Sequence, residues 1–243
     1  MQALAPRLDD ADPDGFQGSI HYSKGQLFLE YLEKSFGREA FDGFLSSYFE
    51  TFAFGTSTTE QFLDLLEAEL LGQEGSPVSR EQAEQWTYGA GIPEGAPIPS
   101  SSNLDSAEKL AHEWASGETT VDEIDVSAWS PHARIHFINS LPEDLSQAML
   151  AELDAAWQLS GTSNAEMART WFIQVATRRY TDVYDQLEAH LNRYGRGRLI
   201  EPVYRALAEN GEDAQLAREM FGRARHAYHP ITASWIEMSL NRG

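Results

Sequence analysis

A chain of 243 residues, 42% hydrophobic and 11% aromatic, is long enough to bury one large core or two modest ones, which excludes a disordered polymer. Its 38 acidic side chains against 18 basic ones give a formal charge of -20, a surface that repels phosphate backbones and excludes nucleic acid as a partner. The lack of cysteine excludes disulfides, thiol nucleophiles and cysteine-held metal clusters, and no apolar run reaches the roughly 18 residues of a membrane span.

The opening MQALAPRLDDADPDG has neither the basic nor the apolar part of a secretion signal. Beyond it the chain is expected to be helical. Residues 20–35 place Leu27, Phe28, Tyr31, Leu32 and Phe36 at helical spacing, and Gly37 ends the run. REAFDGFLSSYFETF repeats the pattern through Phe41, Phe44, Leu45, Tyr48, Phe49 and Phe52. In STTEQFLDLLEAELLG, Ser57 and Glu60 have the spacing of a capping box and Gly72 closes the helix. A short helix from about Ser79 to Tyr88 follows, and the aperiodic Gly/Pro-rich stretch from Gly89 to Ser102 is expected to link two domains.

Further helices are expected at about 103–116, 131–139, 145–158, 165–178, 181–193, 197–209, 213–228 and 231–240. Only TTVDEI at 119–124 weakly suggests a strand. Helices of this length with short Gly, Pro or Asn joints suit antiparallel pairs stacked into an α-solenoid, a compact bundle being the alternative.

The residues that could carry chemistry are few. His132 and His136 lie four apart but lack the Glu of HExxH, His112 is followed by Glu113 with Ser116 where the second His belongs, and His226 and His229 precede Pro230. Surface or helix C-terminal histidines are the simpler reading. RYGRGRL at 193–199 lacks the GK[ST] ending of a phosphate loop. Its Arg196 and Arg198 either grip an anion at a helix start or pair with neighbours such as Glu201. Tyr22, in GSIHYSKG, either packs at a helix start or donates its hydroxyl to an oxyanion forming on a substrate carbonyl.

Several of these stretches, in order, match one family. HYSKG before an apolar helix resembles VPYEKG; REAFDGFLSSY resembles GxxxFxxFLxxY; STTEQF resembles SITTxxF; WTYGAGIP at 86–93 resembles WLYxPGLP; GRGRLIEPVY resembles GRxKFxRPLF; HPITA at 229–233 resembles HPxTA. The chain is thus similar to zinc aminopeptidases of peptidase family M1, in the branch that includes the leukotriene hydrolase/aminopeptidases, over nearly its full length. The resemblance implies an all-α chain: an incomplete helical lobe of a thermolysin-like catalytic domain at 1–98, then an armadillo/HEAT-like α-α superhelical domain at 99–243.

Carried over residue by residue, it implies that Tyr22 hydrogen-bonds the tetrahedral intermediate while zinc polarises the same carbonyl. Asp14 matches an aspartate of the deep substrate pocket, Arg196 the arginine that binds a substrate carboxylate, and Arg198 a nearby lysine of similar role. Gln17 stands where the leukotriene-processing enzyme has a second tyrosine, which weakens an epoxide hydrolase reading. His21 and Ser23 replace the family Pro and Glu beside Tyr22, and Glu201 replaces an arginine.

HExxH and the GxMEN amine-binding motif occur nowhere in the chain. The resemblance therefore implies a C-terminal portion whose metal site and general base lie upstream: zinc in the complete enzyme, none in this chain, with peptide as substrate and the missing N-terminal/catalytic portion as partner. Such a chain is expected to be inactive alone, and its exposed lobe to show apolar surface. Localisation stays open, with the cytoplasm slightly favoured. The alternative from another class is a non-catalytic α-solenoid interaction module descended from such an enzyme.

Overall fold

The structure is a computed structural model that describes residues 3–6 and 20–241, in two compact units, Met1–Pro99 and Ser100–Gly243. Every regular element among the described residues is helical. No helix among them is long and apolar enough to cross a membrane.

In the first unit, α1 (Ile20–Phe36), α2 (Arg38–Thr51), α3 (Thr59–Leu66) and α4 (Arg80–Tyr88) surround an aromatic core. The apolar stripes foreseen in α1 and α2 point inward as Phe28, Leu32, Phe41 and Phe44. Trp86 of α4 lies against them, stacked on Phe28 at 5.5 Å between centroids, while Phe62 meets Phe44 edge-on at 5.7 Å.

The α3 cap falls one residue later than the sequence suggests. Thr58 accepts the Gln61 amide and the Gln61 side chain returns to the Thr58 N–H, closing the capping box. Phe62, Leu63 and Leu66 face the core only in this frame, so Ser57 is free to bond Tyr48 Oη at 2.6 Å. After Leu66 the helix widens into a π turn, Glu67–Leu71. One extra residue per turn stacks Leu71 beneath Leu66 and keeps Leu70 buried as well. Gly72 ends the turn because a Cβ there would stand 2.9 Å from the Glu67 carbonyl oxygen.

The second unit contains α5 (Ser102–Ser116), α6 (Pro131–Asn139), α7 (Gln147–Trp157), α8 (Ala165–Thr177), α9 (Tyr184–Arg193), α10 (Gly197–Glu209), α11 (Ala214–Ala224) and α12 (Pro230–Leu240). The helices stack in succession: α5 on α6, then α6 on α8, α8 on α10 and α10 on α12, which makes the even-numbered helices one continuous row. Trp171, Phe172, Ile200 and Tyr204 fill the middle of that row.

TTVDEI is not a strand. Val121 and Ile124, three apart and both buried, sit on one side of a single 3-10 turn, Val121–Glu123, which Glu123 closes by accepting the Thr120 amide at 2.9 Å. The helix expected at 213–228 likewise stops at Ala224 and continues as a 3-10 turn, Arg225–Ala227, ahead of Pro230.

Candidate functional site

The first turn of α1 decides where Tyr22 points. Residues two apart on a helix lie on nearly opposite faces. Lys24 is directed inward, with no exposed surface, and Tyr22 is directed outward, with its residue 83% exposed. The packing role open to this tyrosine from the sequence is therefore not the one it has. Lys24 Nζ donates to the Gly89 carbonyl at 2.6 Å, and burial lowers its pKa.

Gly89 ends α4, where the unmatched carbonyls favour a cation. A Cβ at Gly89 would lie 2.4 Å from the Gln85 carbonyl oxygen, so the turn admits only glycine. The HYSKG and WTYGAGIP stretches thus meet: a buried lysine from one holds the glycine carbonyl of the other, and Tyr22 stands on the outer side of the same turn. The sequence showed Lys24 as a matching residue but not as a buried one. Its signal was the Tyr-x-Lys spacing, which puts the two side chains on opposite faces. Cavities of about 370 Å³ and about 760 Å³ flank this turn, and His21, Gly25 and Leu29 border both.

In the second unit the arginines lie where α9 passes into α10. Arg196 is the N-cap residue of α10, exposed, and among the described residues it makes no hydrogen bond or ion pair. Arg198 is not paired with Glu201. Its Nη2 donates to Glu166 Oε1 of α8 at 2.8 Å, while Glu201 accepts the Ser239 hydroxyl at 2.6 Å. Gly197 separates the arginines because α10 starts against α12: a Cβ there would sit 3.0 Å from Trp235 Cε3 and 3.3 Å from Thr232 Oγ1. The GRGRL and HPITA segments are thereby packed together.

His190, which the sequence reading did not single out, ties down the other side of this joint. Its Nε2–H donates to the Leu199 carbonyl at 3.2 Å, and its ring is buried between Phe172 and Tyr194. Desolvation lowers its pKa, the bond to Leu199 opposes the shift and the Arg193 charge adds to it.

Among the described residues, no three His, Cys, Asp or Glu side chains come close enough to hold a metal ion. His136 is drawn to Glu108 at 3.3 Å, and His229 caps the N-terminus of α12 by accepting the Ile231 amide, not at a helix C-terminus as the sequence suggested. The donor set among the described residues does not fit zinc. Asp14 and Gln17 lie outside the described residues.

Two family models match the chain: the peptidase family M1 domain over residues 6–86, and the C-terminal domain of leukotriene A4 hydrolase over residues 129–240. The chain belongs to peptidase family M1. Within that family it corresponds to the C-terminal region, the end of the catalytic domain followed by the helical domain. It is 27% identical over 244 residues to leucine aminopeptidase 2 of Yarrowia lipolytica, covering 95% of this chain and 37% of that protein. To the leukotriene A-4 hydrolase homolog of Botryotinia fuckeliana it is 26% identical, covering 96% of this chain and 36% of the other. The solved structure of native yeast LTA4 hydrolase superposes with a TM-score of 0.82 at 26% identity, over 98% of this chain and 42% of that one. This M1 chain thus spans about two fifths of the length of the proteins it matches, and its all-α fold is that of their C-terminal region.

Proposed function

We propose that this chain is the C-terminal portion of a zinc-dependent aminopeptidase that removes N-terminal residues from short peptides. In this reading Tyr22 donates its phenolic hydrogen to the oxyanion that develops on the scissile carbonyl, where a fixed donor acts most strongly on the transition state. Arg196 receives the substrate's terminal carboxylate through its guanidinium, helped by the free amides at the start of α10. Arg198, held by Glu166, shapes the same positive rim. Asp14 and Gln17 are proposed to border the substrate pocket.

The observation that carries the reading is the outward Tyr22, on a turn that the buried Lys24 fastens to Gly89. An exposed tyrosine over a buried lysine costs the fold both solvation and packing, which a positioned donor explains and a packing residue does not. The arginine assignment draws support from Arg196, which, unlike Arg198, makes no hydrogen bond or ion pair among the described residues.

Metal ligands and a general base must come from residues other than those described, and the chain alone is expected to be inactive. The reading is tested by supplying that part. In the assembled enzyme, Tyr22→Phe lowers kcat by about 2.7–4 kcal/mol of transition-state stabilisation with little change in KM. Arg196→Ala weakens peptides with a free C-terminus more than their amides. Equal effects on both would remove Arg196 from this role, and an assembled protein without peptidase activity would leave the helical interaction module as the reading.

A further inference from the structure

The second unit holds a cavity of about 160 Å³ between α8, α9 and the 3-10 turn Leu159–Gly161 that follows α7. Part of its wall is apolar, from Ala168 and Phe172 of α8 and Ala189 of α9. In a chain with 38 acidic side chains, none borders this cavity among the described residues, whereas one arginine, Arg193, does. Arg193 is exposed, its guanidinium lies 5.6 Å from the Tyr194 ring centroid, and it makes no hydrogen bond or ion pair among the described residues.

His190 supplies the other half of the site. Its Nε2–H is committed to the Leu199 carbonyl, which can only accept, so in the neutral ring Nδ1 carries a lone pair and no hydrogen. The residue is 5% exposed; Nδ1 has no hydrogen-bond partner among the described residues, yet it is not sealed from open space, and the space His190 borders is this cavity. Burial keeps the ring neutral at pH 7, so Nδ1 requires a donor. The Ser160 hydroxyl on the same cavity cannot supply one, since it donates to Asp154 Oδ2 at 2.7 Å and accepts from Trp171 Nε1 at 2.8 Å.

A buried acceptor and an unpaired cation thus face one small space. Three apart on α9, they share a helix face, with Cβ atoms about 5–6 Å apart. An α-amino acid presents the complementary pair on a single carbon: an ammonium that donates and a carboxylate that a guanidinium binds bidentately. Size sets the rest, because a cavity of about 150 Å³ holds benzene, whose roughly six non-hydrogen atoms equal those of alanine.

We propose that this cavity binds a small free α-amino acid of the size of glycine, alanine or serine, with its ammonium on His190 Nδ1, its carboxylate on Arg193 and its side chain against Ala168, Phe172 and Ala189. The site is built from this chain's own residues and does not rest on the aminopeptidase reading. Donation to Nδ1 polarises the ring and strengthens the Nε2–H bond to Leu199, so occupancy tightens the start of α10.

The test titrates the full 243-residue chain, labelled with 15N-histidine, with L-alanine, acetate, ethylamine and L-tryptophan. NMR follows the ring nitrogens of His190, assigned by their loss in His190→Gln. Alanine moves Nδ1 in a saturable way with a Kd below roughly 10 mM. Acetate and ethylamine, each carrying half of the pair, bind at least tenfold more weakly, and tryptophan, too large for the cavity, leaves the resonance in place. Arg193→Gln, at an exposed side chain that no hydrogen bond anchors, weakens alanine at least tenfold and leaves ethylamine as it was.

No saturable shift with alanine overturns the proposal. So does alanine binding that acetate, ethylamine or tryptophan matches, or that Arg193→Gln leaves undiminished. A shift confined to other histidines overturns it as well, by placing the amino acid elsewhere on the chain.

Discussion

Gly89→Ala tests the joint beneath Tyr22 most severely. The added Cβ would lie 2.4 Å from the Gln85 carbonyl oxygen, a backbone atom that cannot swing aside as a side chain does. Relieving that clash costs about 1–3 kcal/mol, as overpacking does elsewhere. The same movement draws the Gly89 carbonyl away from Lys24, and a hydrogen bond to a charged group is worth roughly 1.5–3 kcal/mol. Because one shift can relieve the clash and lengthen the bond together, the expected loss is about 2–4 kcal/mol rather than the full sum. Hydrogen exchange of the α1 and α4 amides reads it, and 2–4 kcal/mol corresponds to roughly 30- to 1000-fold faster exchange. Gly43→Ala is the control: Gly43 lies inside α2 with nothing within 4 Å of its Cβ, so the same substitution should stabilise by up to about 1 kcal/mol. Exchange in Gly89→Ala within threefold of wild type would refute the reasoning.

The cap of α3 gives a second contrast. Thr58→Ala should cost about 1 kcal/mol, seen as a lower urea midpoint for the first unit, while Ser57→Ala leaves the Gln61 amide protected. His190 makes the second unit sensitive to acid. Its folded pKa lies below the ordinary value of 6.5, so the folded state binds fewer protons than the unfolded chain between those values. The stability it contributes is present above pH 6.5 and is lost as pH falls below it. The Tm of the second unit should decline through that window in the wild type and less steeply in His190→Gln; parallel declines would show that His190 is not responsible. Tyr22→Phe should leave the Tm unchanged, since the exposed hydroxyl bonds nothing among the described residues, and a drop of several degrees would place it in a structural role.

The helices were legible because their apolar spacing is strong: Phe28 and Leu32, or Phe41 and Phe44, recur at the helical period and are buried as that period requires. The exact start of α3 was not, because Ser57, Thr58 and Thr59 are all able caps and only core packing of Phe62 and Leu63 chooses among them. TTVDEI misled because Val121 and Ile124 fit an alternating pattern poorly and a three-residue turn well, a distinction that six residues barely carry. The π turn at Glu67–Leu71 follows from fitting Leu66, Leu70 and Leu71 into one core, which is tertiary information.

Among the candidate site residues, Tyr22 was visible through its motif, but its outward direction depends on Lys24 turning inward. Lysine is so seldom fully buried that its residue type argues against this, and the carbonyl of Gly89, which helps make it favourable, lies 65 residues away. The partner of Arg198 escaped for a similar reason. Glu201 is its sequence neighbour, whereas Glu166 comes from α8, two helices earlier in the chain and adjacent only in the stacked row.

The central claim is that this chain carries one side of a metallopeptidase site and not the metal ligands. Zinc content by mass spectrometry, together with turnover of an aminoacyl-anilide, should be measured on the full chain alone and on the chain assembled with the preceding part of an M1 relative. The account predicts no stoichiometric zinc and no turnover for the chain alone, with both appearing in the assembly; one bound zinc and measurable turnover in the chain alone would contradict it.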